Sequence, residues 1–138
     1  MQISKDIAAV SRFLRRQRNR YMAPLGLKGL HARLLLDILE NPGISQDGLA
    51  QKTGFDKSNI ARQVAVLEEA GFVERRSCSK DKRMIRLYPT EKTLALQDRI
   101  VDAMESWQQH LLQDLSQEEQ ATLEELLERI RLRASEEG

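Results

Sequence analysis

Aromatic side chains are scarce in this chain of 138 residues: three Phe, two Tyr and one Trp, 4% of the total. So small an aromatic share beside 31% charged residues suits a helical protein better than a sandwich or a barrel. One cysteine, Cys78, excludes a disulfide framework within a single chain and fits a reducing compartment. No apolar run reaches the roughly 18 residues that a membrane-spanning helix needs, so none is expected. The opening MQISKDIAAVSRFLRRQRNR has no unbroken apolar segment ahead of a small-residue cleavage site. A secretory signal is therefore not expected, and the cytoplasm is the default location. The two histidines, His31 and His110, stand apart from any Cys or carboxylate cluster at ligand spacing, which speaks against a metal site. No Ser/His/Asp order, phosphate-cradling glycine loop or carboxylate pair stands out, so neither catalysis nor a cofactor has anything to rest on.

Net charge is also small, +1, but it is unevenly distributed. Residues 1–33 hold eight Lys/Arg against one Asp, and residues 45–92 hold ten against seven acids. Residues 93–138 reverse the balance, with four Arg against eleven acids. A chain polarised in this way can turn a basic surface toward phosphate while its acidic end faces away.

The stretch Ile44 to Tyr88 organises the rest. It reads as two short helices, a tight turn and a two-stranded hairpin with a basic tip. Ser45 can cap the first helix and Gly54 can close it in a left-handed conformation. Asp56 can cap the second, in which Ile60, Val64 and Leu67 mark one buried face. The other side of that helix carries Lys57, Ser58, Asn59, Arg62 and Gln63, polar side chains long enough to reach base edges in a major groove. Strands are expected from Phe72 to Arg76 and from Met84 to Tyr88, the second with Ile85 and Leu87 alternating against polar neighbours. The loop Ser77 to Arg83 between them holds Lys80, Asp81, Lys82 and Arg83. This pattern is a winged helix-turn-helix.

Helices flank it on both sides. Residues 3–21 place Ile3, Ile7, Val10, Leu14 and Tyr21 on one stripe, widened by Phe13, with five arginines crowding the other faces. A buried helix is expected from about Leu30 to Glu40, with Gly29 as the boundary residue before it, and Asn41-Pro42-Gly43 ends it. After Pro89, Thr90 can cap a long helix from about Glu91 to Asp114. Ser116 and Glu119 form a capping-box pattern for a last helix to about Ala134. The division expected is an N-terminal helix and turn at 1–28, a winged domain at 29–89 and two C-terminal helices at 90–138. The terminal helices carry more apolar stripe than a wing-sized domain can cover, which points to a homodimer built from them. The alternative is a helical layer within one chain. The fold class is thus mainly α with a small β-wing.

The run NPGISQDGLAQKTGFDKSNIARQVAVLEEAGFVERR, then KDKR, then PTEK, resembles the MarR family of bacterial transcriptional regulators. The order of elements matches over nearly the whole chain. The resemblance implies a homodimer on a pseudo-palindromic operator in double-stranded DNA, often released by a small phenolic or aromatic ligand. It also implies that Arg83 of the wing enters the minor groove and that Asp81 steadies it, with Lys57, Ser58, Asn59, Arg62 and Gln63 carrying over as the recognition positions. Three positions depart from the family's pattern: Thr93 where a glycine is frequent, Pro89 where a leucine is, and Gln63 where an apolar residue is usual.

The residues themselves suggest the same division of labour. Asn59 and Gln63 lie four apart on one helix face and can read adenine, while Arg62 can read guanine or hold a phosphate. Ser45 and Gln46 can offer backbone N–H groups to phosphate, and Arg75, Arg76, Lys80, Lys82 and Arg86 can supply backbone electrostatics. Phe13, Tyr21, His31 and Trp107 are candidates to line an effector cleft, although aromatic residues at such places also serve as core. Cys78, near Arg75, Arg76 and Lys80, is either an incidental thiol or a redox-sensitive one. A winged-helix module that docks on proteins is the competing reading. A polar, partly basic recognition surface and a cationic wing tip favour DNA over it.

Overall fold

The computed structural model describes residues 1–78, 80 and 83–136. They fall into two compact units, Met1–Met104 and Glu105–Gly138. The first begins with α1 (Gln2–Met22), a short 3-10 turn (Ala23–Leu25) and α2 (Gly29–Glu40). It continues through β1 (Ile44–Ser45), α3 (Gln46–Thr53), α4 (Lys57–Glu69), β2 (Val73–Ser77) and β3 (Ile85–Pro89). Helix α5 (Glu91–Leu111) starts in the first unit and ends in the second, where α6 (Gln117–Ser135) follows.

The core of the first unit is aliphatic. Leu34, Leu35 and Ile38 of α2, Leu49 of α3, Ile60 and Val64 of α4, Leu87 of β3 and Ile100 of α5 are all fully buried. The four-and-three spacing in α4 thus becomes a real buried face. Local chemistry sets the helix ends as expected. Ser45 Oγ accepts from Gly48 N at 2.9 Å, Asp56 Oδ1 accepts from Asn59 N at 2.7 Å, and Gly54 takes φ 78°.

Gly29 is the first residue of α2 and not merely a boundary before it. It is buried where α1 crosses: a Cβ at this position would stand 2.5 Å from Arg18 Cβ. Its N–H donates to Asn19 Oδ1 at 2.7 Å, so a side chain of α1 caps α2 from ten residues away. Only glycine permits that approach.

The hairpin is one strand short of the truth. The sheet has three strands in the order β1-β3-β2, all antiparallel, with Ile44 opposite Leu87 and Ser45 opposite Arg86. A strand of two residues shows no alternation to read, and its pairing partner lies some forty residues on. That pairing is decided by tertiary packing.

The beginning of α5 belongs with the winged elements. Thr90 Oγ1 donates to Gly71 O at 2.6 Å, Lys92 Nζ to Ala70 O at 2.9 Å, and Thr93 Oγ1 to Phe72 O at 2.6 Å. Three carbonyls left open at the exit of α4 are satisfied in this way by the turn into α5. Lys92 also lies over the Phe72 ring, 4.2 Å from its centroid. Thr90, expected to cap α5, donates its hydroxyl proton to the end of α4. The first compact unit runs to Met104 and so includes this part of α5.

In the second unit, Ser116 and Glu119 form the capping box: Ser116 Oγ accepts from Glu119 N at 3.1 Å and Glu119 Oε1 from Ser116 N at 2.9 Å. Gln120 Nε2 closes the turn before α6 by donating to the carbonyls of Leu112 and Leu115. Along α6 no described residue is buried.

Candidate nucleic-acid interface

Helix α4 buries Ile60, Val64 and Leu67, so the residues roughly opposite them must face outward. Lys57, Ser58 and Arg62 are exposed there, and Asn59 and Gln63 are half-buried along one flank. Lys57 Nζ makes an open ion pair with Asp47 of α3 at 3.5 Å. Both partners are exposed, and such a pair yields readily to a competing anion.

The flank residues are employed differently. Gln63 Oε1 lies 2.8 Å from Nε2 of His31, and Gln63 Nε2 donates to Asn59 Oδ1 at 3.4 Å. The amide of Gln63 thus spans from a buried histidine of α2 to the recognition surface. Its expected use as a base-reading amide competes with two internal hydrogen bonds.

In the wing, several cations have internal partners. Arg75 is held by Glu68, with Nη2 and Nε donating to Oε1 at 3.0 and 3.1 Å and its backbone N to Oε2 at 3.2 Å. That hydrogen bonding, from the Arg75 side chain foremost, holds the Glu68 carboxyl below the usual glutamate range. Arg76 and Arg86 stand directly opposite each other on β2 and β3, a placement that like charges resist. Arg76 donates to both carboxylate oxygens of Glu74, at 3.1 and 3.0 Å, and lies 4.2 Å from the Tyr88 ring centroid. Arg86 Nη1 donates to Gly43 O at 2.8 Å. The hydrogen bonds with Arg76 lower the Glu74 carboxyl and raise the Arg76 guanidinium.

At the wing tip, Lys80 and Arg83 are exposed, while Asp81 and Lys82 lie outside the described residues. Arg83, Met84 and Ile85 line a cleft of about 140 Å³ with Ser45, Gln46 and Asp47 at the start of α3. Wing base and supporting helix therefore meet at one place. Ser45 has its hydroxyl committed to Gly48 N, and Gln46 Oε1 is buried without a hydrogen-bond partner among the described residues.

The aromatic candidates differ in exposure. Phe13 is 58% exposed on α1, Tyr21 is half-buried, and His31 is buried against Gln63. Trp107 is buried on the part of α5 that belongs to the second unit. Among the described residues no group of three His, Cys, Asp or Glu is placed to hold a metal ion, and no helix is long and apolar enough to cross a membrane.

Sequence reading missed Glu68 and Glu74 as anchors of the wing arginines. Glu68 lies on α4 and Arg75 on β2, beyond the turn at Gly71, so helical spacing could not connect them. The hydrogen bond between His31 and Gln63 was also missed, because nothing local links two residues 32 positions apart.

A profile described as MarR family matches residues 25–84. The HTH-type transcriptional regulator YybA of Bacillus subtilis (strain 168) is 30% identical over 129 residues, 94% of this chain and 86% of that one. A crystal structure of the transcriptional regulator SlyA superposes with a TM-score of 0.91 at 32% identity, covering 99% of this chain and 96% of the other. An Escherichia coli MarR cysteine-to-serine mutant, crystallised with operator DNA, gives 0.87 at 25% identity with 94% of each chain covered. These likenesses span both the winged elements and the flanking helices. The chain belongs to the MarR family of winged-helix transcriptional regulators.

Proposed function

We propose that this regulator binds a pseudo-palindromic operator in double-stranded DNA as a homodimer and works as a cytoplasmic repressor. The observation that carries the reading is the shared cleft where the cationic wing base meets the start of α3, beside an outward polar face on α4. In this reading α4 enters the major groove, with Lys57, Ser58, Asn59 and Arg62 toward bases and phosphates. The wing, with Lys80 and Arg83, follows the adjacent backbone and minor groove. Arg75 and Arg86 stiffen the wing through Glu68 and the Gly43 carbonyl, and Arg76 adds charge beside its solvent-exposed pair with Glu74.

The dimer reading is supported by uncovered apolar side chains. On α1, Ile3, Ile7, Val10 and Phe13 are 41–71% exposed. On α6, Leu123, Leu126, Leu127 and Ile130 are 37–46% exposed. A second copy supplies the cover that water does not. Release by a small aromatic ligand completes the proposal, as the family resemblance implies.

Selection of bound duplexes from a random pool tests it. The expected result is an inverted repeat with half-sites about one helical turn, ~10 base pairs, apart. A pool that stays random overturns the DNA reading, and direct half-site repeats overturn the two-fold dimer.

A further inference from the structure

The hydrogen bonds beside α4 run in one direction. His31 is 8% exposed, and its Nε2 faces Gln63 Oε1 at 2.8 Å. An amide oxygen can only accept, so the ring nitrogen facing it carries the hydrogen and donates. The other end of the same amide, Gln63 Nε2, then has to donate, and Asn59 Oδ1 accepts it at 3.4 Å. Asn59 is held at its backbone too, since its N–H is bonded to the Asp56 carboxylate at 2.7 Å. The chain of bonds ends with Asn59 Nδ2, whose two hydrogens have no acceptor among the described residues. Asn59 therefore stands half-exposed on the recognition helix with its acceptor drawn inward and its donors left over.

We propose that His31 and Gln63 determine base specificity by restricting Asn59 to donating; the proposal rests on the DNA reading above. An unrestrained asparagine takes adenine with both amide ends, donating to N7 and accepting from the N6 amino group. Here Oδ1 already accepts from Gln63 Nε2, so a base that donates has to share that oxygen, whereas both Nδ2 hydrogens are left for a base that accepts. The edge that suits a pure donor carries acceptors alone, guanine N7 and O6 or thymine O4. His31 supplies the donor that sets the orientation of the Gln63 amide. Both are positioning residues, since neither has to touch the base.

The test uses the full-length protein and an operator from selection, synthesised with all four base pairs at each position. Asn59→Ala locates the base pair that Asn59 reads: one position should lose its preference. At that position the unaltered protein should favour guanine or thymine over adenine by about tenfold, the scale of one good base contact. Replacing a preferred guanine there with 7-deazaguanine, which lacks the N7 acceptor, should remove part of that advantage. Gln63→Met, close in shape, should release Asn59 and move the preference to adenine by a similar factor. His31→Leu should do the same. Gln63→Glu should reverse the relay: its second oxygen accepts from Asn59 Nδ2, turning Oδ1 outward toward bases that donate, cytosine N4 or adenine N6. A role in packing alone would change stability and overall affinity but not the ranking of bases. Thermal unfolding checks that each variant is folded, and Gln63→Met carries the test if His31→Leu is not. A selective parent whose base ranking survives Gln63→Met and Gln63→Glu overturns the relay and leaves the DNA reading standing. A position that ignores Asn59→Ala, or an adenine preference in the parent, also overturns the relay alone. Failure of the parent to select any sequence overturns the DNA reading itself.

Discussion

Helices α4 and α6 are both amphipathic, yet α4 buries Ile60, Val64 and Leu67 to 1% exposure or less, whereas α6 leaves Leu123, Leu126, Leu127 and Ile130 between 37% and 46% exposed. Their local signals are equally good. Each begins at a capping side chain, Asp56 for α4 and Ser116 for α6. What separates them is cover: the α4 stripe is buried within its own unit, whereas the α6 stripe is left partly exposed. Most helical stability comes from such packing and little from propensity. A stripe left partly exposed has cover still to gain, and the proposed second copy would supply it.

The most damaging way to probe this contrast is to cut both stripes. Ile60→Ala should cost about 2–5 kcal/mol at every protein concentration, because the cavity forms inside one chain. Leu126→Ala should cost little in dilute solution and more once copies associate. Thermal melts over a concentration series separate the two. Equal, concentration-independent losses would show that α6 is covered within its own chain.

A smaller effect is expected at the crossing of α1 and α2. Gly29→Ala places a methyl against Arg18 and should destabilise by about 1–3 kcal/mol, read by chemical denaturation. Unchanged stability would mean that α1 shifts without cost, and that it is anchored less firmly than α4.

Two wing arginines extend the comparison from stability to binding. Arg83→Ala should weaken operator binding about tenfold, ~1.4 kcal/mol, with fold and dimer intact. It should also flatten the log–log salt dependence by about 0.9 per lost phosphate contact. Arg75→Ala should chiefly lower the melting temperature, since its guanidinium is already bound by Glu68. Paired titrations and melts of the two variants would expose a reversed assignment.

The smallest effect concerns acid. The folded Glu68 carboxyl sits below its ordinary value of 4.5, so it titrates lower in the native chain than in the unfolded one. Its contribution to stability is present above the unfolded value and is lost as pH falls through the folded one. Melting temperatures followed from neutral pH to below 4.5 should therefore fall less steeply in Glu68→Gln than in the unaltered chain. Parallel curves would remove Glu68 from the acid response.

The difference between legible and hidden features follows sequence distance. Ser45, Gly54, Asp56 and the Ser116–Glu119 box act over a few residues, and each does in the structure what its spacing implies. Strand β1, the cap that Asn19 places on Gly29, the three donors from Thr90, Lys92 and Thr93, and the His31–Gln63 bond all join residues ten to some forty positions apart. No periodicity reports such pairs. Within the candidate site, the outward positions Lys57, Ser58 and Arg62 could be read from α4's period alone. Which polar residues keep their donors for a partner could not, because that depends on neighbours supplied by other elements.

By itself the sequence determined the helices, the caps at Ser45, Asp56 and Ser116, the buried face of α4 and the basic character of the wing. These follow from backbone geometry and from the 3.6-residue period, which act locally. Only the tertiary structure decided that the sheet has three strands, that Glu68 and Glu74 occupy Arg75 and Arg76, and that Gln63 faces His31. Those outcomes depend on distant segments meeting, and the driving force for that meeting is burial of the shared aliphatic core. Burial has no direction of its own, so it brings the segments together, and the shape of the packed chain then selects which polar groups become partners.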